Sequence, residues 1–568
     1  MGAKAIPETE ALEHSSDLKP KASTVDGTTQ LHEAGPLRLI PAPSSHPNDP
    51  LNFSVAKKSL AIFSVYFFGA IALAMQQIIA GMLPIFLLEY AGLDPKILND
   101  PAGLGGVFAS AAGGAGFPTG GNPLEALASL PGAEPLSRVN LLVSLPVVLA
   151  GVANYLLVPA SVAFGRRIVL IFCGLLATFS TIWSGLSTSL SSHIASRCFQ
   201  ALGAGAVESL IPLIVQDMTF IHQRSRALSL VWASQGLVTI SLGIGSSYIV
   251  ARISWRWLYF TGGIITAVSA LCIILFLPET RWTRDATGLK GQEHYTKNET
   301  EEIRDLRDSP DHMQSSVWVN YGVFDNGGIQ LKNGLICFVD IIKTLILPVV
   351  AYLILVNAAF IGITIGSNAT MATVLVAPPY RWSFDVVGYV VAAPFIASIF
   401  VMLIGGFGSD YLTNKLARHN GGKREAEMNL WNLVFPLFRG VFGTILFGIG
   451  GEYVYEVHWT AILSATAIMI FAFLTTNIVA SVATVESYPR LAGPVLVNIA
   501  SFRNIIGFGF IYGMPGCVAT RGYMGTFGTL AGVVAFLALF LPLFFKYGKT
   551  LREARMFRRV AESVSTSM

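Results

Sequence analysis

Apolar residues in this chain run in stretches of about 20, separated by short polar breaks, and do not alternate at the periods of a strand or of a half-buried helix. A helix of that length crosses the hydrocarbon core while satisfying its own backbone, which an open strand cannot do. The pattern predicts twelve spans in two sets of six, at 60–88, 141–157, 168–186, 194–215, 227–250 and 257–277, then at 345–365, 386–404, 433–449, 459–482, 495–513 and 525–545. The fold class is therefore all-α and polytopic, with an N-terminal bundle over residues 58–278 and a C-terminal bundle over 336–547. A Gly-, Ala- and Pro-rich insertion over 92–137 follows the first span and reads as a long flexible loop. Residues 279–335 carry a charge-rich run and form a central loop outside the lipid, and an amphipathic segment at 338–343 leads into the second half. The polar stretch 1–57 reads as a disordered tail and 548–568 as a short one.

Composition strengthens this picture. Hydrophobic residues make up 53% of the chain and charged ones 13%, against about a quarter charged in a soluble protein. A net charge of +4 gives no basis for a nucleic-acid partner. The five cysteines lie in or beside apolar stretches without ligand spacing, so they read as small buried hydrophobes, and no metal site is expected. No hydrophobic leader precedes the first span, which is expected to serve as the insertion signal.

Lys and Arg set the orientation. Lys57, Lys58, Arg166, Arg167, Arg224, Arg226, Arg281, Arg284, Lys415, Arg418, Lys423 and Arg424 fall on one set of alternate connections, together with the C-terminal tail. Both termini and the central loop are thus predicted cytoplasmic, which leaves the sequons at Asn52 and Asn298 unglycosylated.

Two connections carry motifs. Between the second and third spans, Gly165 precedes the paired Arg166 and Arg167, as suits a tight turn whose guanidinium groups reach carboxylates or lipid phosphate. Between the eighth and ninth, Gly406 and Asp410 stand at a corresponding turn about half a chain later, as repeated halves would place them.

On these residues the chain resembles a fungal member of the major facilitator superfamily, in the twelve-helix drug:proton antiporter-like branch. That family's signature is a Gly, an acid four residues later, then Gly-Arg-Arg/Lys. Gly165, Arg166 and Arg167 match the second part with Val162 in place of the acid; Gly406 and Asp410 match the first part, with Thr413 in place of the later Gly. Further matches are Asp49-Pro-Leu-Asn before the first span, Arg197 to Gly205 in the fourth, and Asp217 with Arg224 at its end. Trp255-Arg-Trp and Pro278-Glu-Thr-Arg bracket the sixth, Glu486-Ser-Tyr-Pro ends the tenth, and Asn498, Arg503 and Asn504 lie in the eleventh. The fifth-helix antiporter motif is degraded, since Ser246 and Ser247 replace its final glycines and its Pro is absent.

The resemblance implies two six-helix bundles related by a pseudo-two-fold axis, with a solute site between them at mid-depth. It implies that Arg197 takes part in proton coupling, and that Gly165, Arg166, Arg167, Asp217, Arg224, Asp410 and Glu486 form a gating motif. From the residues themselves, Glu208 and Arg503 are charges deep in apolar spans, where an unpaired group costs several kcal/mol, roughly. They are expected to line the central cavity with Glu208 as a proton or cation site; a buried pair locking helices is the alternative. Gln76, Gln77, Asn357, Thr476, Asn477 and Asn498 are the uncharged candidates for solute contact.

The chain is thus expected to be a secondary transporter, not an enzyme, moving a small organic solute by alternating access, with protons as coupling partner and no cofactor. Efflux or uptake are both open. Uptake of a sugar or nitrogenous nutrient is the rival within transport, and a non-transporting receptor the rival outside it. A monomer in the plasma membrane is expected, with the vacuole as alternative. No complete phosphate-binding loop occurs: Gly548-Lys549-Thr550 lacks the leading Gly, which argues against an ATP-driven pump.

Overall fold

The computed structural model describes residues 28–30, 41, 43–44, 49–95, 134–282, 329–376, 379–382, 386, 390, 392–421, 423–488 and 491–553. Most of the Gly-rich insertion, most of the central loop with Asn298, and the end of the C-terminal tail lie outside the described residues.

The first half begins with α1 (Val55–Ile78), which runs through a 3-10 turn at Ile79–Met82 into α2 (Leu83–Tyr90), so the first span is one bent rod. Then come α3 (Leu136–Phe164), α4 (Arg166–Leu186), α5 (Leu190–Ala204) with α6 (Ala206–Asp217) as the fourth span, α7 (Arg224–Arg252) and α8 (Trp255–Phe276). A separate helix, α9 (Leu331–Thr344), joins the halves. The second half comprises α10 (Pro348–Val376), α11 (Ala392–Phe400) and α12 (Ser409–His419), α13 (Val434–Glu452), α14 (Thr460–Ser487) and α15 (Ala492–Glu553). Serine hydroxyls start several of these helices: Ser54 accepts from the amide of Lys57, Ser189 from Ser192 and Ser254 from Arg256.

Eleven described helices are long and apolar enough to cross a membrane. The twelfth pass comes from α15, which breaks at Gly522 (φ 71°, ψ 178°), a backbone state that disfavours a side chain. Glu452, at the end of α13, caps the new leg by accepting from the amides of Tyr523 (2.8 Å) and Met524 (3.2 Å). Phe545, at the far end of that leg, stacks on Trp431 just before α13 begins (4.4 Å). The second leg therefore runs back antiparallel to α13, and α15 is a hairpin of two spans.

The eighth span differs from expectation. Gly406 and Asp410 do not form a tight turn: Val401–Gly408 is π-helical and continues directly into α12. The chain turns later, at Gly421 (φ 65°), before Lys423–Glu425. The wide π turn is tolerated where Gly405 and Gly406 leave room for neighbouring helices.

The N-terminal tail, expected to be disordered, has two placed pieces. Thr28–Gln30 (β1) pairs antiparallel with Lys423–Glu425 (β2), Thr29 opposite Arg424. Nearer the bundle, Asp49 accepts from the Ser44 amide (2.8 Å) and the Leu51 amide (2.9 Å), and Lys58 donates to the Leu51 carbonyl (2.9 Å).

Outward faces of the spans expose Phe63, Phe172, Phe179, Phe438 and Leu539, apolar surface too extensive for a water-soluble monomer. The end that carries Arg166, Arg224 and Arg424 is hereafter the basic end, and the two halves pack together there and at mid-depth. At mid-depth a Cβ at Gly151 of α3 would lie 2.8 Å from the Ser501 carbonyl of α15. Gly406 likewise packs directly against Ser229 of α7.

Candidate functional site

Between the halves lies a cavity. Its wall comes from Gln77 and Met82 on the first rod, Gln235, Thr239, Ser246 and Ser247 on α7, Thr364 and Asn368 on α10, and Phe473 on α14. The first rod, α7 and α10 all start at the basic end, and the lining residues lie late along each. The cavity therefore extends from mid-depth away from that end. Its polar groups are amides and hydroxyls, and Gln235 Nε2 and Thr364 Oγ1 are buried with no protein hydrogen-bond partner among the described residues. Such groups are set to accept a solute's hydrogen bonds or donate to it.

A smaller pocket adjoins it, lined by Gln76, Gln77, Glu208, Gln235, Phe473 and Asn504 among others. Glu208 is on α6 of the first half and Arg503 on α15 of the second, and their carboxylate and guanidinium meet at 2.5 Å. Asn504 also donates to Glu208, Arg503 also donates to Asn477, and its guanidinium faces the Phe473 ring at 5.8 Å. Glu208 lines the smaller pocket, and it is paired across the bundle interface. Removing either partner would leave an uncompensated buried charge, a change worth about 3–5 kcal/mol in buried pairs.

The remaining solute candidates divide. Gln76, Gln77 and Glu208 line the space. Asn357 is fully buried and donates to the Leu353 carbonyl one turn earlier (2.8 Å), and Thr476 is fully buried too. Asn477 and Arg503 stand behind the wall in the ion-pair cluster. Asn498 is displaced from the cavity altogether: it donates to the Ile341 carbonyl (2.6 Å) and Thr344 Oγ1 (2.8 Å) of α9 and accepts from Tyr155 (3.1 Å). Sequence reading missed Gln235, Thr239, Ser246, Ser247, Thr364 and Asn368, because hydroxyls and amides in an apolar span give no period that separates wall from core.

Arg197 is buried and does not reach the membrane surface. It donates to the carbonyls of Met75 (3.2 Å), Gln76 (3.1 Å) and Leu142 (3.4 Å), and to Gln200. It thereby ties α5 to α1 and α3 beside the two glutamines of the wall. Further from the basic end, His193 sits between Tyr90 (3.0 Å) and Tyr259 (2.8 Å) and stacks on Trp255.

The residues expected to form a gating motif gather at the basic end. Gly165 holds φ 104°, and a Cβ there would lie 2.6 Å from Glu279. The Glu279 carboxylate accepts from the amides of Arg166 (3.0 Å), Arg167 (3.2 Å), Thr280 (2.9 Å) and Arg281 (2.8 Å), and so caps α4 with negative charge at its positive end. Arg166 pairs with Asp217, while Arg167 donates to the Leu277 (2.7 Å) and Ile274 (2.8 Å) carbonyls. The second half repeats the theme: Arg424 pairs with Glu486 at 2.7 Å, and Asn429 donates to the same carboxylate at 2.8 Å. Each half thus joins an Arg near the start of its third span to an acid at the end of its fourth. Asp410 faces the other half, 3.4 Å from Arg226, and Arg224 is buried at the start of α7.

Two helical bundles, a cavity between them and an ion-paired seam define a membrane carrier. The chain belongs to the Major Facilitator Superfamily, whose family model matches residues 130–508, and it is a multi-pass secondary transporter for a small solute. Among its relatives, protein HOL1 of Saccharomyces cerevisiae is 24% identical, over 90% of this chain and 90% of that one. The multidrug transporter TPO1_1 of Candida glabrata is 24% identical over 70% of this chain and 66% of its own length. In fold, the chain is similar to the proton:xylose symporter XylE, with a TM-score of 0.55 at 13% identity, over 87% of this chain and 97% of that one.

Proposed function

We propose that the chain carries a small organic solute of mixed polarity through the central cavity, driven by protons that act at the Glu208–Arg503 pair. The carrying observation is the placement of that pair, one partner on each half at the edge of the cavity. Protonation of Glu208 removes the negative charge that holds Arg503 and leaves the guanidinium to Asn477 alone. The two halves then lose their charged link at mid-depth, so proton binding and bundle separation share one free energy. The paired state is favoured with the basic end closed, and the proton-bound state favours its opening.

The amide and hydroxyl wall supports a second reading, uptake of an uncharged polar nutrient such as a sugar or nitrogenous compound. The name of the multidrug relative supports efflux instead. The Lys and Arg excess supports placing the basic end and both termini in the cytosol, and we place the protein in the plasma membrane as a monomeric carrier that does no covalent chemistry.

Flux of candidate nutrients and drugs into proteoliposomes, with and without an imposed pH gradient, tests the proposal. Flux should follow the gradient in the wild type, and Glu208→Gln should retain solute exchange while losing that response. Flux indifferent to the gradient would refute the coupling, and solute binding without flux would favour a receptor.

A further inference from the structure

The amphipathic helix α9 plays no part in the cavity, yet its surface is unusual. It is 14 residues long, about 21 Å at the helical rise, too short to span, and it is absent from the candidate spans. Gly334, Cys337, Asp340, Ile341 and Thr344 face the protein and are buried. Leu331, Leu335, Phe338, Val339 and Ile342 are exposed, and Ile346 extends the row. At ~100° per residue these exposed apolar side chains fall within about 100° of arc. Lys332 and Lys343 both fall along one border of that arc.

The position of α9 is set by hydrogen bonds to both halves. The amide of Gln330, just before the helix, donates to the carbonyl of Ala163 at the basic end of α3 (2.9 Å). At its other end, Ile341 and Thr344 accept from Asn498, near the start of α15. The helix therefore lies across the basic end of the bundle, at the level where the spans leave the hydrocarbon. Phe164, beside its anchor on α3, and Ile346, just past its end, are exposed and apolar. The stripe is continuous with the lipid-facing belt, and the lysine edge sits where headgroups would lie.

We propose that α9 is a bilayer-surface helix: its apolar stripe sinks into the headgroup–acyl boundary, and Lys332 engages anionic lipid headgroups, while Lys343 is held 3.5 Å from Asp340 on the same helix. Because α9 is bonded to α3 and to α15, separation of the halves at this end must move it relative to the lipid or break one of its bonds. Anionic lipid thus acts on the same motion that transport needs. The inference rests on the membrane-embedded fold and is independent of the proton proposal.

The test places a polarity-sensitive fluorophore on Leu335→Cys in a background free of other cysteines, since Leu335 is 68% exposed and its replacement leaves the core intact. The protein is reconstituted in phosphatidylcholine vesicles containing increasing phosphatidylserine. Nitroxide lipids labelled near the headgroup should quench the probe, and aqueous iodide should not. With the nitroxide carried on phosphatidylserine, Lys332→Gln should shift the half-quenching mole fraction upward about fivefold, the effect of one lysine near an anionic surface. A probe quenched by iodide and untouched by nitroxide lipid would overturn the surface helix. Equal quenching by phosphatidylserine and phosphatidylcholine nitroxides, unchanged by Lys332→Gln, would overturn the headgroup assignment.

Discussion

Glu208 and Arg503 show what a single residue in an apolar run can disclose. Each was legible because charge at that depth needs a partner or water, but that the two are each other's partner was not, as the pairing closes only when distant parts of the chain pack. Their energetic coupling can be measured directly. Arg503→Gln alone should destabilise the protein by about 3–5 kcal/mol, and the double change with Glu208→Gln by clearly less, because the second substitution removes the stranded charge. Thermal or denaturant unfolding in detergent reads this cycle; additive effects would mean that the pair does not couple. Gly165 is a similar case. Gly before paired Arg was visible in the sequence, whereas its neighbour Glu279, 113 residues from Arg166, was visible only as part of a flanking motif. Gly165→Ala should lower the unfolding midpoint, since φ 104° strains any Cβ and this one also meets Glu279. Glu279→Gln should lower it less, because a neutral acceptor keeps some of the amide bonds.

Among the elements, the spans were legible almost throughout, since each apolar run is long and bounded by polar residues or glycine. The interruption of the fourth span at Gly205, the extension of the eighth to His419 and the fused rod at Gly522 were not. In each case tertiary partners decide: Gly205 lies against Ala150 and Ala153 of α3, Asp410 is taken in by Arg226, and Glu452 caps the leg after Gly522. The amphipathic character of 338–343 is legible in the sequence, but its role as a crossbeam between α3 and α15 depends on Asn498, whose polar side chain in an apolar span points by sequence alone to solute contact. Gly522→Val should impair the hairpin, lowering folded yield and the unfolding midpoint, because a β-branched residue cannot take φ 71° without strain. Glu452→Gln should give a milder loss at the same cap.

For the whole molecule, the two halves pack together at the basic end and at mid-depth, and the cavity lies between them beyond. The repeated Arg–acid pairs, Arg166 with Asp217 and Arg424 with Glu486, each lie within one half. They stiffen the bundles as bodies. Arg226 with Asp410 and Glu208 with Arg503 cross between halves and are ion pairs among the contacts that a rocking motion must break. Gly493 of α15 provides a place to test this, since a Cβ there would lie 3.7 Å from Val158 Cγ1 of α3, close enough for a disulfide between the halves. In a background free of native cysteines, Val158→Cys/Gly493→Cys should be oxidised to a link that abolishes solute flux in proteoliposomes, with reduction restoring it and each single variant unaffected by oxidant. Undiminished flux through the fully linked protein would contradict the account, because the basic end would then never need to open.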